Sequence, residues 1–476
     1  MRKKILLQFV VGNGVVVCNM LLTIILSRIL SPDEIGVFSI AVVLVSVAHV
    51  FRDFGVGSYL KHVKDITPEV IRSAFGLLLV TSWTVALILF LSAGLWGSFF
   101  KDPRVSEVVK ILSVGFIFIP FGSIPEALLV RGYEVVQLAK VAAITIVFYF
   151  SITLLLAVSG YSYTTMAWAN LANIVVSGAA YRFFSLKPMP WMPSFKNWGE
   201  IAKFGFGSIL TSLLKVLDSS LPDIFLGRVA GAASVGLYSR ANATVNLVSI
   251  GVTPTINFFA LPYLSGVHHR RLGIDAEFLR VSSIINSLLL PPLVWIGIMA
   301  PEIVQFLFGD QWLESVAVIP WICASVAVST LFTLTIPALQ GIGRPYIFAL
   351  PLSLTVGIKF LAVLYLYSGT LVSFSQGILL GQLVVIPLYI YINWRYLGVD
   401  IRRWFLDVIF QLGIILLCGL SVWYLASTVL IEALVLAKMI MSALVFGFVY
   451  LLILAFTNLP IKLEMVNLFR AIKSRS

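Results

Sequence analysis

The chain has 476 residues, a length that suits about three soluble domains. Yet 60% of its residues are hydrophobic and 11% are charged, against about 25% charged in ordinary globular domains. No soluble fold covers that much apolar surface, so the chain reads as an all-α polytopic membrane protein. The net charge of +12 invites a nucleic-acid or acidic partner, but the positions of the cations give a different account.

Apolar stretches near 20 residues, each long enough to cross a hydrocarbon core of roughly 30 Å, predict about fourteen spans. The first six fall near 5–27, 36–51, 73–96, 106–128, 138–158 and 162–181. Six more lie near 201–226, 234–262, 280–307, 313–340, 346–367 and 372–393, and a last pair near 405–427 and 433–456. The opening Met1-Arg-Lys-Lys precedes an apolar run too long for a secretory leader and without an A-x-A site, so it reads as the first span. The second span is the shortest and is open to extension through Asp53 to Tyr59. The longest inner connection, 186–198, reads LKPMPWMPSFKNW. Its three prolines forbid a regular helix and its Trp, Met and Phe suit an interface, as in a tether along the cytoplasmic surface or, alternatively, a simple loop with chance aromatics. The expected organisation is an N-lobe over 1–184, a linker over 185–200, a C-lobe over 201–398, and a final helix pair with a tail over 399–476.

With the N-terminus inside, 24 of the 33 Lys and Arg fall in inner segments, Arg52 and Lys61 among them, and 7 in outer ones, Arg240 included. Lys215 and Lys359 remain inside spans. By the positive-inside rule both termini are expected in the cytoplasm, with the protein a multi-pass component of the cell (inner) membrane. The net charge then reports orientation, and no nucleic-acid partner is implied.

The chain also repeats itself. Arg28, seven residues, then Gly36-Val37-Phe38-Ser39 matches Arg228, seven residues, then Gly236-Leu237-Tyr238-Ser239 at an offset of 200. At the same offset Ser39, Ser46, His49 and Asp53 face Ser239, Asn246, Ser249 and Thr253, with helical steps of 7, 3 and 4. Ala127 to Gly132 faces Ala338 to Gly343 at an offset of 211. Two six-helix lobes of the same topology follow, an arrangement that puts a transport site at the interface of the repeats near mid-membrane.

No GxxxxGK[ST], HExxH or Cys/His cluster is present, so neither P-loop hydrolysis nor a metal site is expected. Cys18, Cys323 and Cys418 lie in apolar runs without a CxxC, and no cofactor is implied. The seventh span carries Ser208, Thr211, Ser212, Lys215, Asp218, Ser219 and Pro222 on one stripe. Lys215, about 14 residues from the inner end and so roughly 20 Å deep, needs a partner or a hydrated cavity. Asp218, one turn on, either neutralises Lys215 in a pair buried for packing, or sets its position or exchanges a coupling ion in a hydrated cavity where Lys215 meets an anion. Asp218 is also the one acid this reading puts at the centre. Lys359 has no acid three or four residues away, which invites a phosphate or, alternatively, snorkelling to the interface. Asn19, His49, Asn242 and Asn246 suit sugar hydroxyls or interhelical hydrogen bonds. Arg28 and Arg228 stand at a cavity mouth or simply anchor helix ends.

The blocks SRILSPDEIGVFSIA at Ser27–Ala41, FRDFGVGSYLKHVKDIT at Phe51–Thr67 and GRVAGAASVGLYSRA at Gly227–Ala241 resemble those of Wzx-type polysaccharide/oligosaccharide flippases of the multidrug/oligosaccharidyl-lipid/polysaccharide (MOP) exporter superfamily. Ile35 departs from a position where an aromatic is common. The resemblance spans nearly the whole chain. It implies a MATE/MOP-like fold whose two lobes open alternately to each side, moving a polyprenyl-pyrophosphate-linked oligosaccharide outward for lipopolysaccharide or other surface polysaccharide synthesis. It implies a transporter and not an enzyme, with the lipid-linked oligosaccharide and membrane lipids as partners, a polysaccharide polymerase nearby, and an open choice of H+ or Na+ as coupling ion. A MATE-type drug or cation exporter shares the scaffold and is the alternative.

Overall fold

The computed structural model describes residues 2–185, 192–196, 198–270, 273–429, 434–457, 459–462 and 464. All regular elements among them are helical. The α-helices are α1 (Arg2–Ile29), α2 (Pro32–Asp53), α3 (Val56–His62), α4 (Pro68–Phe100), α5 (Pro103–Arg131), α6 (Val135–Val158), α7 (Thr165–Phe183), α8 (Trp198–Val229) and α9 (Ala232–His269). They continue as α10 (Ile274–Ile298), α11 (Ala300–Leu307), α12 (Ile319–Leu331), α13 (Thr335–Gly341), α14 (Ala349–Leu366), α15 (Leu371–Leu397), α16 (Ile401–Tyr424) and α17 (Val435–Phe456). Among the described residues, 11 stretches are long and apolar enough to cross a membrane. Helices α7, α8 and α9 stand where the other three predicted spans fall.

Helix starts follow local chemistry. Ser31-Pro32, Thr67-Pro68 and Asp102-Pro103 each put a capping side chain before a proline at the first helical position, where the missing N–H costs nothing. At α2 the Ser31 Oγ accepts from the Glu34 N–H at 3.3 Å while the Glu34 carboxylate accepts from the Ser31 N–H at 2.7 Å, a reciprocal capping box. Each such cap is worth about 1 kcal/mol.

Two predicted boundaries change. The second span does not run on to Tyr59, because Phe54 (φ 40°) and Gly55 (φ 71°) are both left-handed, which ends α2 at Asp53 and lets α3 leave in a new direction. The 313–340 span is interrupted: a 3-10 segment, Asp310–Val318, precedes α12, and turns after Leu331 separate it from α13.

The chain divides into two compact units, Met1–Ser239 and Arg240–Ser476. In the first, α4 packs on α5, α5 on α7, α1 on α6, and α2 on both α5 and α8. The described part of the predicted tether, residues 192–196, is pinned to α4. Ser194 N–H donates to the Arg72 carbonyl, and Arg72 Nε to the Met192 carbonyl, each at 3.0 Å. The Trp198 indole donates to the Ser194 carbonyl at 3.1 Å. Gly76 makes room for this strap, since a Cβ there would lie 2.4 Å from the Ser194 oxygen.

In the second unit, α14 packs on α15 and α10 on both α12 and α16. Gly377 and Gly381, four residues apart on α15, admit the backbone of α14 at Val363 and Lys359, where a Cβ would approach their Cα atoms to 2.7 and 2.5 Å. Small residues at that spacing are a standard means of close helix approach in lipid. Hydrogen bonds from Gln411 to Ser283 Oγ (2.7 Å), Trp295 to Ser442 Oγ (3.1 Å) and Tyr450 to the Ser287 carbonyl (2.7 Å) fasten α16 and α17 to α10.

Candidate functional site

A cavity of about 500 Å³ opens in the first unit around the C-terminal end of α2. Helix α2 lines it with Ser46, His49, Arg52 and Asp53, α3 with Lys61, α5 with Ser123 and Glu126, and α8 with Ser212. The first four follow from helical spacing: steps of 3, 3 and 1 keep them on one face of α2. Lys61 reaches the same space because the left-handed Phe54-Gly55 pair redirects the chain. The exit of α3 is held by Arg131 at the end of α5, whose guanidinium donates to the carbonyls of Leu60 and Lys64, each at 3.0 Å, satisfying acceptors that a helix end leaves open.

Arg52 is the centre of the site. Its Nη1 donates to Ser123 Oγ at 3.2 Å and its Nη2 faces His49 Nδ1 at 3.3 Å. A guanidinium only donates, so a neutral His49 accepts through Nδ1 and carries its proton on Nε2. The imidazole also rests on Phe116, with ring centroids 4.7 Å apart. Thr81 Oγ1 donates to the Arg52 carbonyl at 3.0 Å. The Nε of Arg52 is buried and has no hydrogen-bond partner among the described residues. That nitrogen is closed off from the cavity, so Arg52 can meet a ligand only through its Nη1 and Nη2 groups. The carboxylates of Asp53 and Glu126 act on Arg52, and Lys61 on Glu126. Two cations, two carboxylates, three neutral hydroxyls and an imidazole therefore share one space. The cations can meet phosphate oxygens bidentately or as point charges, and the carboxylates can accept from sugar hydroxyls.

The residues singled out from sequence are distributed as follows. His49 lines the cavity. Lys215 is exposed and Asp218 partly buried on α8, beside the lining residues Ser212 and Val216. The side chains of Ser208 and Thr211 lie outside the described residues. Asn19 is exposed on α1, as is Arg28. Arg228 is exposed and lies over the Phe99 ring at 5.2 Å. Asn242 and Asn246 are partly buried on α9 in the second unit, where Lys359 is buried on α14 with 7% exposure.

Sequence reasoning missed Arg52, Asp53, Lys61 and Glu126. Arg52 and Lys61 entered the charge count as loop cations, whereas Arg52 sits in the last turn of α2 and both line the cavity. Asp218 is not the one acid to weigh, because Glu126 follows Pro125 within the fourth span and reaches the cavity. A carboxylate inside an apolar span was the available signal. Arg240 also moves: counted as an outer-loop residue, it lies in the third turn of α9, 8% exposed, over the Trp312 ring at 5.7 Å.

Far from the cavity, at the opposite end of α2, Arg104 pairs with Asp33 and, at 2.7 Å, with Asp102. Burial pushes the Asp102 carboxyl up, but hydrogen bonds from Arg104 outweigh it and hold the group below the ordinary carboxylate range.

Comparison with known proteins supports this fold. The chain is 25% identical to a membrane protein in the cps region of Klebsiella pneumoniae, over 97% of this chain and 96% of that one. It is 22% identical to the lipopolysaccharide biosynthesis protein WzxC of Escherichia coli (strain K12), over 63% of this chain and 61% of the relative. Among solved structures it is similar to the lipid II flippase MurJ in an inward closed conformation, with a TM-score of 0.73 and 10% identity over 93% of this chain and 97% of the other. It is similar also to an inward-facing multidrug resistance MATE family transporter of the MOP superfamily, with a TM-score of 0.59 and 17% identity over 82% and 97%. Those two likenesses establish a MOP-type helical fold. The model of the polysaccharide biosynthesis protein family matches residues 25–317, more than half of the sequence and the whole of the cavity lining, and the chain belongs to that family.

Proposed function

We propose that this chain is a secondary-type flippase that carries a polyprenyl-pyrophosphate-linked oligosaccharide across the membrane for surface polysaccharide synthesis. The observation that carries the reading is the Arg52 site: a half-buried guanidinium and Lys61 line one cavity that also offers carboxylates, hydroxyls and an imidazole. A pyrophosphate requires cations at membrane depth, a glycan requires mixed donors and acceptors, and the polyprenyl tail can remain in lipid. Family membership and the names of relatives such as WzxC and the succinoglycan biosynthesis transport protein ExoT of Rhizobium meliloti (strain 1021) support a glycan cargo. A cation exporter fits less well, because Arg52 and Lys61 offset Asp53 and Glu126 and leave no net negative lining.

The reading includes a multi-pass location in the inner membrane with both termini cytoplasmic, two six-helix lobes joined by the 185–200 linker, and an association with a polysaccharide polymerase. An ion gradient, of H+ or Na+, or the membrane potential supplies the energy. Lys215, Asp218, Lys359, Asn242, Asn246 and Asn19 extend the path of the cargo, and Arg28 and Arg228 flank its mouth. The test is complementation of a strain that lacks its own flippase. The parent chain restores surface glycan and Arg52→Ala does not; full restoration by Arg52→Ala at equal protein level removes the site from the mechanism.

A further inference from the structure

We propose that Gly36 and Gly236 form a reciprocal backbone clasp that closes the seam between α2 and α9 in the state seen here, and that the clasp must part when the transporter opens toward that face. The proposal rests on the flippase reading only in requiring a second, oppositely open state.

The first turns of α2 and α9 meet backbone to backbone. A Cβ on Gly36 would lie 1.7 Å from the Ala232 carbonyl oxygen and 2.5 Å from its carbon, and one on Gly236 would lie 1.9 Å from the Pro32 oxygen and 2.7 Å from its carbon. Neither neighbour is the tip of a flexible side chain, so any side chain at either glycine drives the two helices apart. The two contacts are equivalents of each other under the internal repeat: Gly36 and Gly236 are 200 residues apart, and so are Pro32 and Ala232. A local two-fold axis therefore passes between the two helix starts.

The seam is dry around the clasp. Ile35, Val37, Ile40, Val235 and Leu237 are all under 8% exposed, and Gly227 admits the Ile40 side chain at a position where a Cβ would lie 2.9 Å from it. His49 is 13 residues further along α2, roughly 20 Å at 1.5 Å per residue, and there the same helix borders the hydrated cavity. Packed backbone is bistable and does not stretch continuously, so access to the cavity from the clasp side requires these two helix starts to separate.

The test uses the full chain with Cys18, Cys323 and Cys418 replaced by Ser and a reporter Ile40→Cys, labelled by a membrane-impermeant maleimide in oriented vesicles without cargo. Gly36→Ala and Gly236→Ala are each expected to raise the labelling rate from the clasp side by about tenfold, as a shift toward the parted state. Gly94→Ala, at a helical glycine whose Cβ would meet nothing within 4 Å, leaves the rate unchanged. Labelling at the parent rate in both clasp variants overturns the proposal. Should those variants not accumulate, Pro32→Cys with Ala232→Cys, the two residues that the clasp glycines meet on the opposite helix, is joined by a short cleavable bis-thiol-reactive reagent in the glycine parent. Cross-linking stops transport and cleavage restores it; undiminished transport by the linked protein overturns the proposal. Because labelling is read without cargo, it stands or falls separately from the Arg52 test.

Discussion

The two ends of α2 are built on opposite rules. At its start the side chains are removed or satisfied: Gly36 presents bare backbone to Ala232, Ser31 and Glu34 cap each other, and Asp33 meets Arg104. At its end the polar groups exceed what the protein satisfies, with Arg52 Nε buried without a hydrogen-bond partner among the described residues and Asp53 beside a cavity. One end of a single helix is finished as structure, while the other turns its polar side chains to a cavity. This contrast distinguishes Arg104, a surface arginine in a triad with Asp33 and Asp102, from Arg52, a cavity arginine.

The largest expected effect tests the cavity end. Arg52→Ala lowers surface glycan assembly at least about tenfold at unchanged protein level, in line with loss of a charge-assisted contact worth roughly 1.5–3 kcal/mol. Arg52→Lys rescues only part, because an ammonium lacks the planar fork that spans Ser123 and His49. Next come Lys215→Ala and Lys359→Ala, each expected to impair assembly several-fold, read by the same complementation. Full activity of both restricts the cargo site to the cavity around Arg52. Single cysteines at Ser162 and Lys196 are expected to label from opposite sides, and same-side labelling contradicts the even span count on which the orientation rests.

The smallest effect tests the finished end. The Asp102 carboxyl is held below its usual range in the folded protein, so Arg104 stabilises the fold above about pH 4 and this contribution fades as pH falls through the folded value. Arg104→Ala should lower Tm slightly at pH 7 with transport intact, and the gap between variant and parent should close in acid. A gap that widens in acid reverses the sign of that account.

Much of the fold was legible because lipid imposes simple rules. Backbone groups must be paired within the segment, so length and apolarity locate helices, and Ser31-Pro32, Thr67-Pro68 and Asp102-Pro103 mark where they begin. The repeat around Arg28 and Arg228 was legible too, and its glycines proved to be the points of closest approach. The cavity was not. A charge near a span edge belongs equally to a loop or to the last helical turn, and Arg52 was assigned to the loop because the left-handed pair at Phe54-Gly55, which fixes where α2 stops, has no unambiguous sequence mark. Glu126 was within reach of sequence reasoning, but the prominent stripe on α8 drew the acid assignment to Asp218.

The central claim is that Arg52 and its neighbours handle a lipid-linked glycan anion. The most direct measurement reconstitutes the full chain in lipid vesicles with a fluorescent polyprenyl-pyrophosphate oligosaccharide and follows its appearance on the opposite leaflet. The account predicts translocation by the parent well above empty vesicles and a rate near the leak for Arg52→Ala. Equal rates for parent and Arg52→Ala, or a parent no faster than empty vesicles, would contradict it.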